Sequence, residues 1–240
     1  MRAPFLLLLL LPFGAPCTAA EQACDSPNAC NQAGSAAYRA GLYARAIEAF
    51  ERQLRRTEQH NGDAHGAEEL ALNNLMLANL KAGEPGMARA WLEVALERGF
   101  VGAATRHNLA KVAAALDFPA LAGSVEGHYV RYAGQGLWSS LDIRRQGQAH
   151  VALFNPVRAG ARVEDYGPAA IGELRGRLAG SGAHFSLGDA GLAPGCAVEL
   201  LWSGADMRVL ELPGEGCQAY GGAGISVAGR YYKTSTVARF

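Results

Sequence analysis

Apolar residues recur every three or four positions through the first half of the chain. Ala46, Phe50 and Leu54 follow this spacing, as do the apolar positions of 68–81. Such a recurrence places side chains on one face of a helix. Glycines, together with Pro85, separate the periodic segments and indicate turns. The pattern predicts helices at 29–41, 43–56, 68–81, 86–98 and 103–116.

The pattern changes after residue 117, where short segments begin to alternate between apolar and polar residues with Gly-rich turns between them. Alternation with a period of two is typical of strands that bury one face. It predicts about eight strands, at 129–132, 137–145, 150–154, 171–178, 184–187, 196–202, 207–212 and 225–233. The whole chain is therefore expected to be an α+β multidomain protein. A helical part at 21–117 and a linker at 118–126 precede an antiparallel β-barrel or sandwich at 127–240.

The two ends of the β region resemble each other in sequence. Gly127 begins the segment GHYVRY and Gly229 begins GRYYKT, and both alternate aromatic with basic residues. Matching first and last strands suit a sheet that closes on itself, because closure removes exposed strand edges. The pattern therefore indicates that these two strands meet.

The first 20 residues have the pattern of an export signal. Arg2 precedes a short apolar run, and small residues end the segment at Ala19 and Ala20. The run is about ten residues long, roughly half of what a membrane-spanning helix needs. We expect cleavage after Ala19 or Ala20, no membrane span, and a periplasmic or secreted location. Lipid attachment at Cys17 is the alternative, which Pro16 disfavours because such signals need a small residue there.

Cleavage at that point leaves four cysteines, Cys24, Cys30, Cys196 and Cys217. Exported proteins form disulfides in their oxidising compartment. Four cysteines allow three pairings, and proximity within local units favours Cys24 with Cys30 and Cys196 with Cys217. Free buried thiols are the alternative. Metal binding is less favoured, because neither pair has the short spacing of a zinc site.

The charge balance argues against nucleic acid as a partner. The chain has 22 basic and 22 acidic residues, whereas nucleic-acid-binding proteins usually carry a clustered basic excess. The same balance does not favour an anionic membrane surface.

No catalytic or metal-binding motif stands out in the sequence. The types of residue that bind metals are concentrated at His60, Asp63, His65, Glu68 and Glu69. Their spacing lacks the H-E-x-x-H order of zinc enzymes. Three histidines lie in strand-like segments and could share a site inside a barrel: His128, His150 and His184. We expect each to be satisfied singly, with no metal, no cofactor and no enzymatic activity; an unrecognised enzyme is the alternative.

The first predicted helix pair resembles the tetratricopeptide repeat. Gly34 provides a small residue for a close helix contact, and Gly41 provides the turn. Tyr43, Ala46 and Phe50 follow in the order that the returning helix of such a hairpin shows. The resemblance implies stacked helical hairpins, which bind other molecules more often than they catalyse reactions.

A second unit repeats this pattern. Ala88 and Leu92 correspond to Ala46 and Phe50 at an offset of 42 residues. That offset is the family's repeat of about 34 residues plus an insertion of about eight. The resemblance covers 29–117 with an incomplete third unit, and it departs from the family at Met76, where a small residue is usual.

In that family the first helix of each repeat lines a concave groove that binds peptides. Carried over by position, the groove residues are Asn31, Ser35, Tyr38, Arg39, Asn73, Leu77, Leu80, Lys81, His107 and Lys111. Amides can hold an extended peptide backbone through paired hydrogen bonds, and lysines can meet a carboxylate. The alternative is a solvated face whose leucines only pack.

The β region is weakly similar to small exported β-barrel modules of the lysozyme-inhibitor-like and lipocalin-like kinds. That similarity implies no particular binding residue. We expect an exported, non-enzymatic protein-binding or scaffold protein, with a protein or peptide partner in the cell envelope for the helical groove and a second partner for the β domain. The alternative is an inhibitor or small-ligand carrier in which the β domain is the active part.

Overall fold

The computed structural model describes residues 24–59, 65–212 and 220–240. A helical part is followed by a closed antiparallel β-barrel. The predicted α+β fold class is therefore confirmed, and of the two predicted sheet architectures the structure has the barrel. In these ranges, no helix combines the length and the apolar character needed to cross a membrane. The predicted signal segment, His60, Asp63 and Cys217 lie outside the described residues.

The described helices of the first part are α1 (Pro27–Arg39), α2 (Tyr43–Gln59), α3 (His65–Lys81), α4 (Pro85–Glu97), α5 (Ala103–Ala115) and α6 (Phe118–Ala122). Helix α1 begins where the Ser26 hydroxyl accepts the Ala29 N–H at 3.2 Å. Helices α1 and α3 are followed by Gly41 and Gly83 at φ 75° and 82°. Glycine adopts this left-handed conformation without strain, so the chain can reverse into the next helix.

The helices stack as antiparallel pairs, α1 with α2 and α3 with α4, and α2 also packs on α3. Gly34 lies where α1 crosses α2. A Cβ atom at this position would come within 2.5 Å of the Phe50 ring, so the small residue is a requirement of the crossing. Helix α5 is followed only by the short α6, so the third pair is incomplete within the described chain.

The strands are β1 (Gly127–Gly134), β2 (Leu137–Gln146), β3 (Ala149–Asn155), β4 (Val157–Arg158), β5 (Ala170–Ile171), β6 (Leu174–Ser181), β7 (His184–Gly188), β8 (Ala197–Ser203), β9 (Asp206–Leu212) and β10 (Gly229–Ser235). The barrel closes in the order β1-β10-β9-β8-β7-β6-β3-β2. Strands β4 and β5 pair separately, on either side of the short helix α7 (Val163–Tyr166).

Strands β1 and β10 close the barrel, with Tyr129 opposite Lys233 and Val130 opposite Tyr232. The predicted meeting of the first and last strands is confirmed. Buried aromatic residues fill the interior, among them Tyr129, Phe154 and Tyr231. The barrel core is therefore packed with side chains in the described region.

Several predicted element ends are shifted by a few residues, and two predicted segments differ more substantially. The strand expected at 171–178 is divided between β5 and β6. The segment expected as a linker at 118–126 contains helix α6, because the Asp117 carboxylate accepts the Ala120 N–H at 3.0 Å and Pro119 stands in the first turn. The capping residues therefore determine a short helix in a segment whose composition is typical of a loop.

The predicted disulfide between Cys24 and Cys30 is confirmed, with Cα atoms 4.9 Å apart. It joins the segment before α1 to the first turns of that helix. Cys196 is also disulfide-bonded. Its predicted partner, Cys217, is not among the described residues, so that pairing stays a prediction.

Helix α4 is buried on nearly all sides, because α3 and α5 cover one side and strands β10 and β1 cover the other. Trp91 is fully buried and contacts Tyr132 and Trp138 of the barrel, with ring centroids 5.3 and 4.6 Å away. Edge-to-face contacts of this kind add to the gain from apolar burial. The aromatic cluster therefore joins the helices to β1 and β2.

Arg89 places a charge inside this interface and is only 4% exposed. Its guanidinium donates to the Ala205 carbonyl oxygen at 3.0 Å and pairs with Glu93 and Asp206. A buried charge is tolerated when it is paired in this way. Arg89 thus ties α4 to the hairpin between β8 and β9.

Gly86 marks a close approach of α4 to the barrel, since an added Cβ would lie 2.0 Å from the Thr234 carbonyl oxygen of β10. We predict that Gly86→Ala lowers the free energy of unfolding by about 3 kcal/mol, because backbone must move to relieve the overlap. Urea denaturation measures the effect. Gly66→Ala is the matched control: an added Cβ there meets open space, and the change is expected to stay within about 1 kcal/mol of wild type. Equal effects of the two substitutions would contradict this interface.

Lys233 is a fully buried cation at one end of the barrel. Its ammonium donates to the carbonyl oxygens of Leu121 and Ser124 at 2.9 and 2.6 Å. Burial lowers the pKa of Lys233 to about 8. The folded protein therefore releases this proton before the unfolded chain does.

The contribution of Lys233 to stability should consequently rise with pH between about 8 and 10.5, where the unfolded lysine is still protonated. We predict that the unfolding free energy of wild type gains about 2 kcal/mol relative to Lys233→Met between pH 7.5 and 9.5. Chemical denaturation at both pH values measures this difference. Parallel pH profiles for the two proteins would show that Lys233 stays protonated in the folded state.

Candidate functional site

The helical part presents one side to the barrel and another away from it. The second helices of the pairs make the barrel contacts: Arg55 of α2 donates to the Gln135 carbonyl oxygen at 3.0 Å, and Arg89 of α4 reaches Ala205. The first helices, α1 and α3, meet each other on the other side. This side is the surface that the predicted groove occupies, and we call it the α1/α3 face.

A cavity of about 160 Å³ opens on the α1/α3 face. It is lined by Ser35, Tyr38, Arg39, Phe50, Asn74 and Leu77. The structure therefore brings together the predicted groove residues Ser35, Tyr38, Arg39 and Leu77. Arg39 is exposed beside the cavity, while Tyr38 and Leu77 are half-buried.

Two side-chain amides meet at the α1/α3 face. Asn74 donates from Nδ2 to Asn31 Oδ1 at 2.8 Å, and the same nitrogen lies 3.5 Å from Gln53 Oε1. Asn31 is a predicted groove residue, whereas Asn74 was missed. The sequence signal that could have identified Asn74 as a groove residue is its position three residues before Leu77, because this spacing places both side chains on one side of α3.

Asn73 lies elsewhere, and its predicted place in the groove needs correction. It is 4% exposed and donates to the Glu69 carbonyl oxygen at 2.8 Å and to Thr105 Oγ1 at 3.0 Å. Its own oxygen accepts from Asn108 Nδ2 at 2.7 Å. Its amide therefore joins α3 to α5 and is not available to a ligand. Asn74, one residue and about 100° further around the helix axis, lines the cavity with Leu77 instead.

The other predicted groove residues do not line the cavity. Lys81, His107 and Lys111 are exposed. Lys81 stands at the end of α3, and His107 and Lys111 lie one turn apart on α5. Leu80 packs against the helical core. The cavity thus belongs to the first two helix pairs, and these four side chains are not among the residues that line it.

A second cavity, of about 420 Å³, lies on the outside of the barrel and beside α4. Its lining comprises Met87, His128, Val130, Trp138, Ser140, Asp142, Leu153, Asn155, Arg239 and Phe240. His128 Nδ1 and Asp142 Oδ1 lie 2.9 Å apart, and both side chains are buried. Asp142 Oδ1 also accepts a hydrogen bond from the Arg239 backbone N–H at 2.7 Å. We call this the outer-barrel cleft.

The three histidines considered for a shared site are separate. Each faces a different carboxylate: His128 faces Asp142, His150 Nε2 lies 3.2 Å from Glu126 Oε1, and His184 Nε2 lies 3.4 Å from Glu199 Oε2. Over the described ranges, no group of three or more His, Cys, Asp and Glu side chains is placed to hold a metal ion.

No family model, no curated protein and no solved structure matches this chain. Function is therefore inferred from the geometry of the α1/α3 face and the outer-barrel cleft.

The placement of the two neighbouring asparagines gives a paired prediction. Asn73→Ala should lower the free energy of unfolding by about 2–3 kcal/mol, because it removes the acceptor of the buried Asn108 amide and one of the hydrogen-bond partners of Thr105. Asn74→Ala should cost less than about 1 kcal/mol, since water can replace its bonds at the half-buried surface. Denaturant unfolding of both variants measures this. A larger loss for Asn74→Ala would contradict the assignment.

Proposed function

We propose that the protein is an exported, non-enzymatic binding or scaffold protein that holds a peptide segment of a protein partner on the α1/α3 face. The observation that carries this proposal is the cavity lined by Tyr38, Arg39, Asn74 and Leu77 on the side turned away from the barrel. The Cys24–Cys30 disulfide supports an oxidising compartment, such as the periplasm or the cell exterior.

The chemistry of the α1/α3 face suits an extended, acidic peptide. The Asn31 and Asn74 amides supply both donors and acceptors, which an extended backbone can pair with. Leu77 and the Tyr38 ring supply apolar contact, and the exposed Arg39 can bind a carboxylate through two parallel hydrogen bonds. Lys81 is exposed one helical turn after Leu77 on α3 and adds positive charge.

The fused barrel supports a scaffold role. Its attachment through α2 and α4 leaves the α1/α3 face clear of barrel contacts such as Arg55 with Gln135 and Arg89 with Ala205. A partner bound on that face would not compete with the barrel for the same residues. The barrel can therefore present a second recognition surface.

Selection from a displayed peptide library against the full chain tests the proposal, followed by affinity measurements on the selected peptides. We predict that Arg39→Glu weakens binding of acidic peptides by at least about tenfold, the loss expected for a charge-assisted hydrogen bond. Arg45→Glu makes the same charge change at an exposed position on α2 and should change affinity less than about twofold.

An equal loss in the two charge variants would show nonspecific attraction rather than a site. Unchanged binding in both Arg39→Glu and Asn74→Ala would place the peptide elsewhere. Thermal melting of each variant controls for folding.

The outer-barrel cleft supports the second candidate, an inhibitor or small-ligand carrier in which the β domain is active. Buried side chains such as Tyr129 and Tyr231 fill the described barrel interior, so a ligand would bind outside. In that case His128→Gln, and not Arg39→Glu, would reduce ligand binding by the full chain.

A further inference from the structure

Three arginines occupy one patch on the outer face of β2, β3 and β6. The strand register sets Arg144 opposite Val151 and Val151 opposite Arg177. Arg175 is two residues before Arg177 and so points to the same face of β6. Neighbouring strands are about 4.8 Å apart and alternate residues about 7 Å apart, which lets these long side chains reach a common point.

Arg144 donates to the Phe240 main-chain oxygen. Arg175 and Arg177 have no carboxylate within 4.0 Å among the described residues, although Arg89, Arg98 and Arg230 each have one. Acidic and basic residues balance over the chain as a whole. Arg175 and Arg177 are therefore a local excess of positive charge rather than a consequence of a basic protein.

Phe240 orders two of these side chains. Its ring centroid lies 4.3 Å from the Arg144 guanidinium carbon and 5.8 Å from that of Arg175. Guanidinium groups stack on aromatic rings while their N–H groups stay free at the edges. Side chains held in this way lose less freedom when they bind a ligand.

A cavity of about 290 Å³ opens between the arginines of β6 and the neighbouring strands. Its lining is Gln146, Val151, Arg175, Gly176, Arg177 and Asp189. Arg175, Arg177 and Gln146 supply N–H donors to it. Asp189 is the only acidic residue in this lining, and its side chain is exposed. Its backbone φ is 55°, a left-handed conformation that aspartate and asparagine tolerate better than most residues.

We propose that this cavity binds an oxyanion, the carboxylate or phosphate group of a ligand, through Arg175 and Arg177. The planar guanidinium fork matches two oxygens of either group, so the chemistry is shared. Gln146 donates a further hydrogen bond, and Asp189 opposes the bound charge from the rim. This oxyanion site is separate from the α1/α3 face and does not depend on peptide binding there.

Isothermal titration of the full chain at low, fixed ionic strength tests the site, with inorganic phosphate in one series and succinate in the other. Binding in either series is expected, and their relative affinity distinguishes a phosphate source from a carboxylate source. Arg177→Gln should weaken binding by at least about tenfold, and Asp189→Asn, which keeps a residue that tolerates positive φ, should tighten it by about two- to fivefold.

Arg208→Gln is the matched control, since Arg208 is exposed on β9, outside this patch, and it should change affinity less than about twofold. A dissociation constant of roughly 20 mM is the weakest that we would accept for a specific site. Absence of binding heat with both anions at concentrations up to about 20 mM would therefore overturn the proposal. Equal losses in Arg177→Gln and Arg208→Gln, or unchanged affinity in Arg177→Gln with an unchanged melting curve, would also overturn it.

Discussion

The burial of helix α4 between the other helices and the barrel is the constraint on which the rest of the molecule depends. Gly86 brings the α4 backbone against β10, Trp91 packs between the rings of β1 and β2, and Arg89 needs acceptors from the β8–β9 hairpin. These contacts use apolar and charged groups together, so the two parts hold one arrangement. That arrangement also decides which helical surface stays open.

The α1/α3 face and the outer surfaces of the barrel differ in the chemistry of their side chains. The α1/α3 face combines amides, an exposed arginine and apolar side chains at a cavity, which suits an extended chain. The barrel core is filled around Tyr129 and Phe154, so its chemistry lies outside, in the buried His128–Asp142 pair and the unpaired arginines of β6. Separate surfaces of different chemistry are what a scaffold needs in order to bind more than one partner.

Local patterns predicted the fold well. The spacing of Gly34 and Phe50 indicated a close helix crossing, and the like segments at Gly127 and Gly229 indicated barrel closure, because both signals depend on short-range periodicity. The site was predicted less well. Choosing correctly between Asn73 and Asn74 requires the rotation of α3 about its axis to be known within one residue, and packing against α5 sets that rotation. Predicting the arginine patch requires the register between neighbouring strands, and the sequence of a single strand does not contain that information.

The central claim is that the α1/α3 face is the partner-binding surface, and an NMR titration tests it most directly. With asparagine side-chain amides assigned in the full chain, a selected peptide should shift the Asn31 and Asn74 signals and leave that of Asn155, in the outer-barrel cleft, unchanged. Shifts at Asn155 with none at Asn31 and Asn74 would contradict the claim and move binding to the barrel.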